Sequence, residues 1–589
     1  MISININNQN MVVPEGTTIL EAVRKAGFRV PTLCNMEKRR PIGACRVCLV
    51  ELEGSGKLVA SCTNPVTEGM NILTNTRKVR NARKLVVELL LSEHDGDCKT
   101  CDRNEDCELQ SVARELGVFD LHYNGEKAKP FYDKSTPALV RDTAKCIKCR
   151  RCVSVCTEMQ NVGAIFPQGR GYSTTIAPAF NINLSDVACV QCGQCSAVCP
   201  VGAIIERSSI DEVWKEIDNP SKTVIVQTAP AIRAALGEAF GMEPGTLVTG
   251  KMITALRHLG FDKVFDTNFT ADLTIMEEGT ELLMRLKKAL VDKENVPLPQ
   301  FTSCCPAWIK YAEYYHPDML PYLSSCKSPQ QMFGSVAKTY YAEKICKEYS
   351  DISVISIMPC TAKKFECQRD EMNDSGIQDV DYVLTTRELA KMIKQSGIDF
   401  ANLPDGQMDS PIGASSGAAD IFANTGGVME AAVRTAYEIA TGRPLPTENL
   451  HVESIMGLDN YKTATLKFEN CLPEWKFLDG VELKVGVVHG LKNAEKVIEN
   501  VKNGEQFHFI EVMTCPGGCI SGGGQPRYTT DDIRMKRISA IYKEDEGKAI
   551  RKSHENPEVA EIYNSFLTKP LSHKSHELLH THYIKREIV

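Results

Sequence analysis

Among its 589 residues the chain has no apolar run near the ~18 residues that a membrane-crossing helix needs. Its start, MISININNQNMVVPEG, lacks a basic stretch followed by a hydrophobic one, so no secretory signal is expected and a cytoplasmic location is. No glycine-rich dinucleotide fingerprint stands at a strand–helix boundary, so any flavin or nicotinamide would belong to a partner. Charge is not lopsided either. With 75 acids against 68 bases the formal charge is -7, which gives no reason to expect nucleic acid or a membrane as partner. What the chain has in abundance is cysteine, 24 residues of it. A secreted disulfide protein with that many would be far shorter, so the thiolates read as metal ligands. The length itself calls for several domains.

Fifteen of the cysteines lie at or before Cys199, and with His94 they make sixteen ligands, enough for four clusters of four. The last eight read Cys146-x2-Cys149-x2-Cys152-x3-Cys156 and Cys189-x2-Cys192-x2-Cys195-x3-Cys199-Pro200. This doubled run is the signature of bacterial two-cluster ferredoxins, in which the fourth cysteine of each run ligates the other 4Fe-4S cluster. Structural zinc is the competing reading of CxxC pairs, and two tandem runs argue against it. A shared VGAI segment follows each run, as in an internal repeat. Upstream, ISINI and NMVV predict a hairpin, Thr18–Ala26 a short helix and Leu49–Leu52 a strand. Around them Cys34, Cys45, Cys48 and Cys62 have the CxxC-plus-outliers logic of a 2Fe-2S site. After a predicted helix over Val79–Leu91 come Cys98, Cys101 and Cys107, one thiolate short of a closed 4Fe-4S site, and His94 is placed to complete it. An imidazole in place of a thiolate makes a cluster less negative and raises its potential.

Past Asp218-Asn219-Pro220 the pattern changes. Short buried strands (Thr223–Gln227, Val264–Asp266, Ile352–Ile357, Leu483–Val488, His508–Val512) alternate with helical patterns at Ala231–Phe240, Lys251–Leu259, Glu281–Leu290 and Met429–Ile439. Such alternation predicts α/β architecture with mainly parallel sheets and a site at the carboxyl ends of the strands. Cysteines fall there in TSCCP (302–306), MPCTAKK (358–364) and MTCPGGC (513–519). Four of these five could hold another 4Fe-4S cube and leave one thiol spare.

At these three motifs, and along essentially the whole chain, the sequence resembles the monomeric iron-only (FeFe) hydrogenases of the clostridial multi-cluster type. The resemblance implies a modular α/β protein. Residues 1–78 would be a plant-type 2Fe-2S ferredoxin-like domain, 79–137 a His/Cys3-ligated 4Fe-4S domain and 138–209 a two-cluster ferredoxin-like domain. A two-lobed catalytic domain would span 210–526 and a small-subunit-like wrap 527–589. It implies reversible reduction of protons to hydrogen at an H-cluster, a 4Fe-4S cube joined to a two-iron unit carrying CO, cyanide and an azadithiolate bridge. Cys305, Cys360, Cys515 and Cys519 would hold the cube, with Cys519 the shared sulfur. Cys304 would relay protons outward through Glu278, Ser324 and Glu281 toward Arg285, and Lys363 would pair with a cyanide. Ala229, Pro230, Ala231, Met358, Met513, Gln330 and Gly417 would surround the two-iron unit. Expected partners are a ferredoxin or similar small carrier, with Lys38-Arg39-Arg40 a candidate docking patch, and maturation proteins that build the two-iron unit.

The residues alone leave other readings open. MEEGTE (276–281) also reads as solvated acidic surface, and Lys363 as a surface lysine beside Lys364. Ala231 stands where relatives often have serine, Ala307 where glycine is common, and Cys326 where alanine is frequent. Cys326 reads as a small buried hydrophobe. One alternative function is a redox sensor or cluster-assembly protein of the same ancestry. Another is a subunit that takes electrons from NADH in a larger complex. At the C-terminal end a helix is predicted over Glu558–Leu567, and His573, His576, His580 and His582 read as a surface helix and tail rather than as metal ligands.

Overall fold

A computed structural model describes residues 1–588. The predicted hairpin forms from Ile2–Ile6 and Gln9–Val13. Asn7 and Asn8 close it at φ 48° and 69°, the left-handed pair that a two-residue turn needs. The predicted short helix is Ile19–Lys25. It starts on a reciprocal cap in which Thr18 accepts from the Glu21 N–H and Glu21 accepts from the Thr18 N–H. With Asn71–Leu73, Leu49–Leu52 and Lys57–Ala60 the hairpin makes a five-stranded sheet that carries the first cysteine group. The helix Arg77–Glu93 follows, and His94 is its C-terminal cap.

The cysteine runs from Cys146 and Cys189 repeat their backbone as well as their spacing. Lys148 and Arg150 take left-handed φ in the first, as Gln191 and Gly193 do at matching positions in the second. A one-turn helix follows each, Arg151–Ser154 and Gln194–Ala197. The strands Leu139–Asp142 and Ile204–Glu206 pair antiparallel and tie the two halves together.

Two four-stranded sheets form the catalytic part. In one, Lys263–Asp266, Thr223–Thr228, Ile352–Met358 and Tyr382–Thr385 run parallel. Ile352–Met358 is buried at every residue, as a strand covered on both faces should be. In the other, Gln300–Phe301, Phe509–Met513 and Glu482–His489 are parallel, and Tyr461–Lys467 closes the edge antiparallel with alternating burial. The carboxyl ends of both sheets deliver Ala229, Cys360, Cys304, Cys305 and Cys515 to one place.

Two helical expectations change. Ala231–Phe240 is not one helix but two short 3-10 turns, Pro230–Ile232 and Leu236–Phe240, because the backbone leaves helical geometry at Ala235. Here Arg233 is fully buried and reaches Asp266 at 2.8 Å and Asp420 at 2.6 Å, which ties the segment inward. The helix expected at Glu281–Leu290 begins earlier and runs Asn268–Leu290. Farther on, Asp531–Gly547 is a helix, Glu558–Leu567 divides into Pro557–Ile562 and a wider π-turn Tyr563–Leu567, and His573–Leu579 is the last helix.

Candidate active site and accessory cluster sites

Cys34, Cys45, Cys48 and Cys62 are all buried and converge, with the Cys48 and Cys62 sulfurs 3.3 Å apart. Gly43 and Arg46, both at left-handed φ, wrap the loop around them. His94 is also buried, and its Nδ1 has no hydrogen-bond partner. A buried imidazole nitrogen without a partner, four residues before Cys98 in the chain, has the chemistry of a donor that would complete a set with Cys98, Cys101 and Cys107. Arg103 next to them is fully buried and donates to the Cys199 carbonyl at 2.7 Å, which ties this site to the next. Lys99 is exposed. Gly202, in the second VGAI segment, packs so close to Cys101 that a Cβ there would meet its sulfur at 2.8 Å.

The next two groups of cysteines are crossed in space between the two runs. Cys146, Cys149 and Cys152 share a small cavity with Cys199, the last cysteine of the other run. Cys156 in turn faces Cys189, Cys192 and Cys195. This second group abuts the catalytic part. Gln194 donates to the Cys515 sulfur at 3.1 Å and to the Ser521 carbonyl at 3.0 Å, while Thr361 donates to the Gln191 carbonyl at 2.8 Å. A Cβ on Gly523 would meet the Cys192 carbonyl at 2.4 Å, so only glycine permits the approach.

The strand ends surround a largely apolar cavity of about 80 Å³. Cys305, Cys360, Cys515 and Cys519 line it together with Cys304, Lys363, Ala229, Pro230, Ala231, Gln330, Met358 and Met513. Gln330 Oε1 is buried without a partner there. Four thiols, an apolar wall and one ammonium in the same cavity fit a cluster joined to a compact anionic group. Gly417 is a correction. It does not line the cavity but starts the helix Gly417–Asp420, where a Cβ would meet Asp545 at 2.0 Å. Its missing side chain makes room for that carboxylate. Ala307 sits in the first turn of the helix Pro306–Tyr315, where alanine suits the backbone. Sequence reasoning missed Phe422 and Thr514 in the cavity wall, and Glu366, which receives the Lys363 ammonium at 2.9 Å. Lys363 also donates to the Cys304 carbonyl at 3.2 Å. Burial works against its charge, but Glu366 outweighs burial and raises its pKa.

Behind Cys304 the MEEGTE segment is interior. Glu277 and Glu278 are buried on the long helix, which excludes the solvated-patch reading for both. Neither Glu278 carboxyl oxygen has a hydrogen-bonding partner in bonding geometry. Burial, reinforced by the Glu281 charge, pushes its pKa up to about 8. Burial likewise raises the Cys304 thiol well above its ordinary value. Ser324 donates to Glu281 at 2.7 Å, and Arg285 closes the line by donating to Glu281 at 2.7 Å and to the Leu323 carbonyl at 2.8 Å. Cys326 is fully buried in the hydrophobic core, as a small hydrophobe would be.

Two expectations at the periphery change. Lys38 pairs with Asp531 at 2.5 Å, and Arg39 is half-buried, so the KRR stretch is partly engaged within the chain. His573, His576 and His582 are exposed, but His580 is buried.

Residues 222–523 match the family described as iron only hydrogenase large subunit, C-terminal domain, and 531–586 match the iron hydrogenase small subunit. The front of the chain matches a 2Fe-2S iron–sulfur cluster binding domain (1–77), the NADH-ubiquinone oxidoreductase-G iron–sulfur binding region (83–122) and a 4Fe-4S dicluster domain (145–203). The chain is 51% identical to the NADP-reducing hydrogenase subunit HndD of Solidesulfovibrio fructosivorans, over 100% of this chain and 99% of that protein. It is 40% identical to iron hydrogenase 1 of Clostridium pasteurianum, over 99% and 100%. The chain belongs to the FeFe hydrogenases. It is an iron–sulfur oxidoreductase of hydrogen and proton chemistry. Among solved structures, a single-residue variant of the apo FeFe hydrogenase HydA1 of Chlamydomonas reinhardtii superposes with a TM-score of 0.58 at 44% identity. That likeness covers 65% of this chain and 100% of the other. The Arabidopsis thaliana protein NAR1 is more distant, 30% identical over 68% of this chain and 85% of its own length. Among the described residues no helix is long and apolar enough to cross a membrane.

Proposed function

We propose that this hydrogenase carries one 2Fe-2S cluster, three accessory 4Fe-4S clusters and an H-cluster. The ligand sets are Cys34, Cys45, Cys48 and Cys62; His94, Cys98, Cys101 and Cys107; Cys146, Cys149, Cys152 and Cys199; and Cys156, Cys189, Cys192 and Cys195. Cys305, Cys360, Cys515 and Cys519 hold the active-site cube. The meeting of four thiols with Cys304 and Lys363 at one buried cavity carries this reading. When bound, the cofactor supplies the redox-active metal at which hydrogen is made or split.

The chain's own residues manage the protons. Cys304, protonated at neutral pH because it is buried, donates toward the cavity. Glu278 resupplies it, and a carboxyl with pKa near neutral gives and takes a proton at little cost. Ser324, Glu281 and Arg285 continue the path outward. Lys363 offers a buried cation to an anionic ligand, with Glu366 holding it in place.

Domains 1–78, 79–137 and 138–209 then conduct electrons to 210–526, with 527–589 wrapped around it, in the cytoplasm. A reduced ferredoxin is the expected donor, and maturation proteins install the two-iron unit. A second electron source is favoured by the 51% identical relative, which is named as a subunit of an NADP-reducing hydrogenase. In that reading a partner subunit handles the nucleotide. Infrared and iron analysis of the purified protein tests the cofactor. CO and cyanide stretching bands with about 20 iron atoms per chain are expected, and a protein with the cube but no such bands would instead match the assembly-factor reading. Hydrogen evolution from reduced ferredoxin, compared with evolution from NADPH by the isolated chain, decides the donor.

A further inference from the structure

His580 is buried and bonded on both sides. Its segment lies antiparallel to the one that carries Ser324, with Thr581 N donating to the Ser325 carbonyl at 2.7 Å and Lys327 N to the Leu579 carbonyl at 2.8 Å. Ser325 has two jobs at this crossing. Its backbone N–H points at the Glu281 carboxylate, 3.3 Å from Oε2, the oxygen that also accepts from Ser324. Its hydroxyl lies 2.8 Å from His580 Nδ1. The other ring nitrogen, Nε2, is 3.2 Å from Glu277 Oε2. Glu277 also accepts from the Tyr563 hydroxyl at 2.6 Å and from Leu571 N at 2.8 Å. A carboxylate already serving as acceptor to those donors fixes the imidazole proton on Nε2, so Nδ1 is an acceptor and the Ser325 hydroxyl donates to it.

We propose that His580 is a positioning residue for the proton relay: by capturing the Ser325 hydroxyl it keeps a second hydroxyl off Glu281 and leaves that carboxylate to Ser324. Two adjacent serines stand at the carboxylate, and only one of them is in the line toward Glu278. A free Ser325 hydroxyl competes for the same oxygen, turns the carboxylate and lengthens the Ser324 bond. Small misplacements in a relay are costly in rate even where stability hardly changes. Glu277, fully buried and outside the relay, acquires a purpose here: it sets the tautomer. The His576 ring packs against that of His580, with centroids 4.2 Å apart.

This inference rests on the relay read above, so its test includes Glu281→Gln. His580→Ala should lower hydrogen uptake and evolution roughly tenfold with the CO and cyanide bands unchanged. It should also enlarge the solvent deuterium isotope effect. His580→Asn, whose side-chain oxygen falls where Nδ1 was, should restore the rate to within about twofold. The decisive arm is the double variant His580→Ala with Ser325→Ala. Deleting the freed hydroxyl should recover most of the rate lost in His580→Ala, which a merely structural role for the histidine cannot do. If the double variant is no faster than His580→Ala, or His580→Ala turns over normally while Glu281→Gln is slow, the positioning role is overturned. If Glu281→Gln itself is as fast as wild type, the relay reading falls instead, and with it the thing to be positioned. Should His580→Ala not fold, His580→Asn against His580→Gln decides. Asn keeps the Ser325 bond, whereas Gln reaches Glu277, so equal rates for the two would sink the proposal.

Discussion

At the scale of single residues, three side chains at or behind the cavity have different proposed duties, and substitution separates them. Cys304 and Cys305 are neighbours on the cavity wall, and in the proposed ligand set only Cys305 joins Cys360, Cys515 and Cys519. Cys304→Ala is therefore expected to abolish nearly all turnover while the infrared bands and the cube remain. Loss of the bands would mean that the two thiols exchange roles. Glu278→Gln keeps size and shape but removes a group that can carry a proton, so turnover should fall by roughly a hundredfold or more at every pH. It also carries a stability signature. The folded protein holds the Glu278 proton up to about pH 8, whereas the unfolded chain releases it near the ordinary glutamate value. Between those pH values the folded state binds more protons, so wild-type stability falls as pH rises through the window. The glutamine variant should lose that part of the decline and melt higher than wild type near pH 8. Melting curves at several pH values check this, and parallel curves for both proteins would show that Glu278 titrates normally.

At the scale of elements, helix ends and strand ends place the ligands. His94 caps the helix Arg77–Glu93, and the three cysteines after it lie in irregular chain. Replacing Cys98 by alanine should therefore cost the His94-ligated cluster and slow electron delivery, while the infrared bands of the two-iron unit stay. Electron paramagnetic resonance of the reduced protein and carrier-linked hydrogen evolution measure the two effects, and disappearance of the bands would place this element nearer the active site than its contacts do. The same scale explains two differences from expectation. Ala231–Phe240 has helical composition, but the buried ion pairs of Arg233 with Asp266 and Asp420 hold it in short turns. The glutamates of MEEGTE look solvated because glutamate is rarely buried. They are interior because the helix Asn268–Leu290 is packed by other helices along its length, the C-terminal segment included.

Across the whole molecule, the electron-carrying front and the catalytic part meet at backbone contact distance. Gly523 lies against Cys192 and Gly193, and a Cβ there would fall 2.4 Å from a carbonyl oxygen that belongs to backbone and cannot swing away. Gly523→Ala is expected to push the last accessory site from the cube and slow carrier-linked turnover several-fold. Exchange of hydrogen with deuterated water needs no external electrons and should stay near wild type. Equal loss of both activities would show that the substitution disturbs the active site itself rather than the junction.

The sequence alone determined how the front cysteines group by spacing and the identity of the catalytic motifs. That is possible because a cluster is wrapped by residues two or three apart, and spacing over so short a range is fixed by chain geometry whatever the surroundings. It determined the strands too, since Ile352–Met358 and Thr223–Thr228 are apolar enough to be buried in any arrangement. Which residues the strand ends bring to one cavity, and that Gly417 is not among them, was decided by the tertiary structure. So were the burial of Glu277, Glu278 and His580 and the partners of Lys363 and Lys38. A charged or polar side chain has no intrinsic burial. Its state depends on what distant segments place against it, and for His580 those are a helix some three hundred residues earlier and the serine beside the relay.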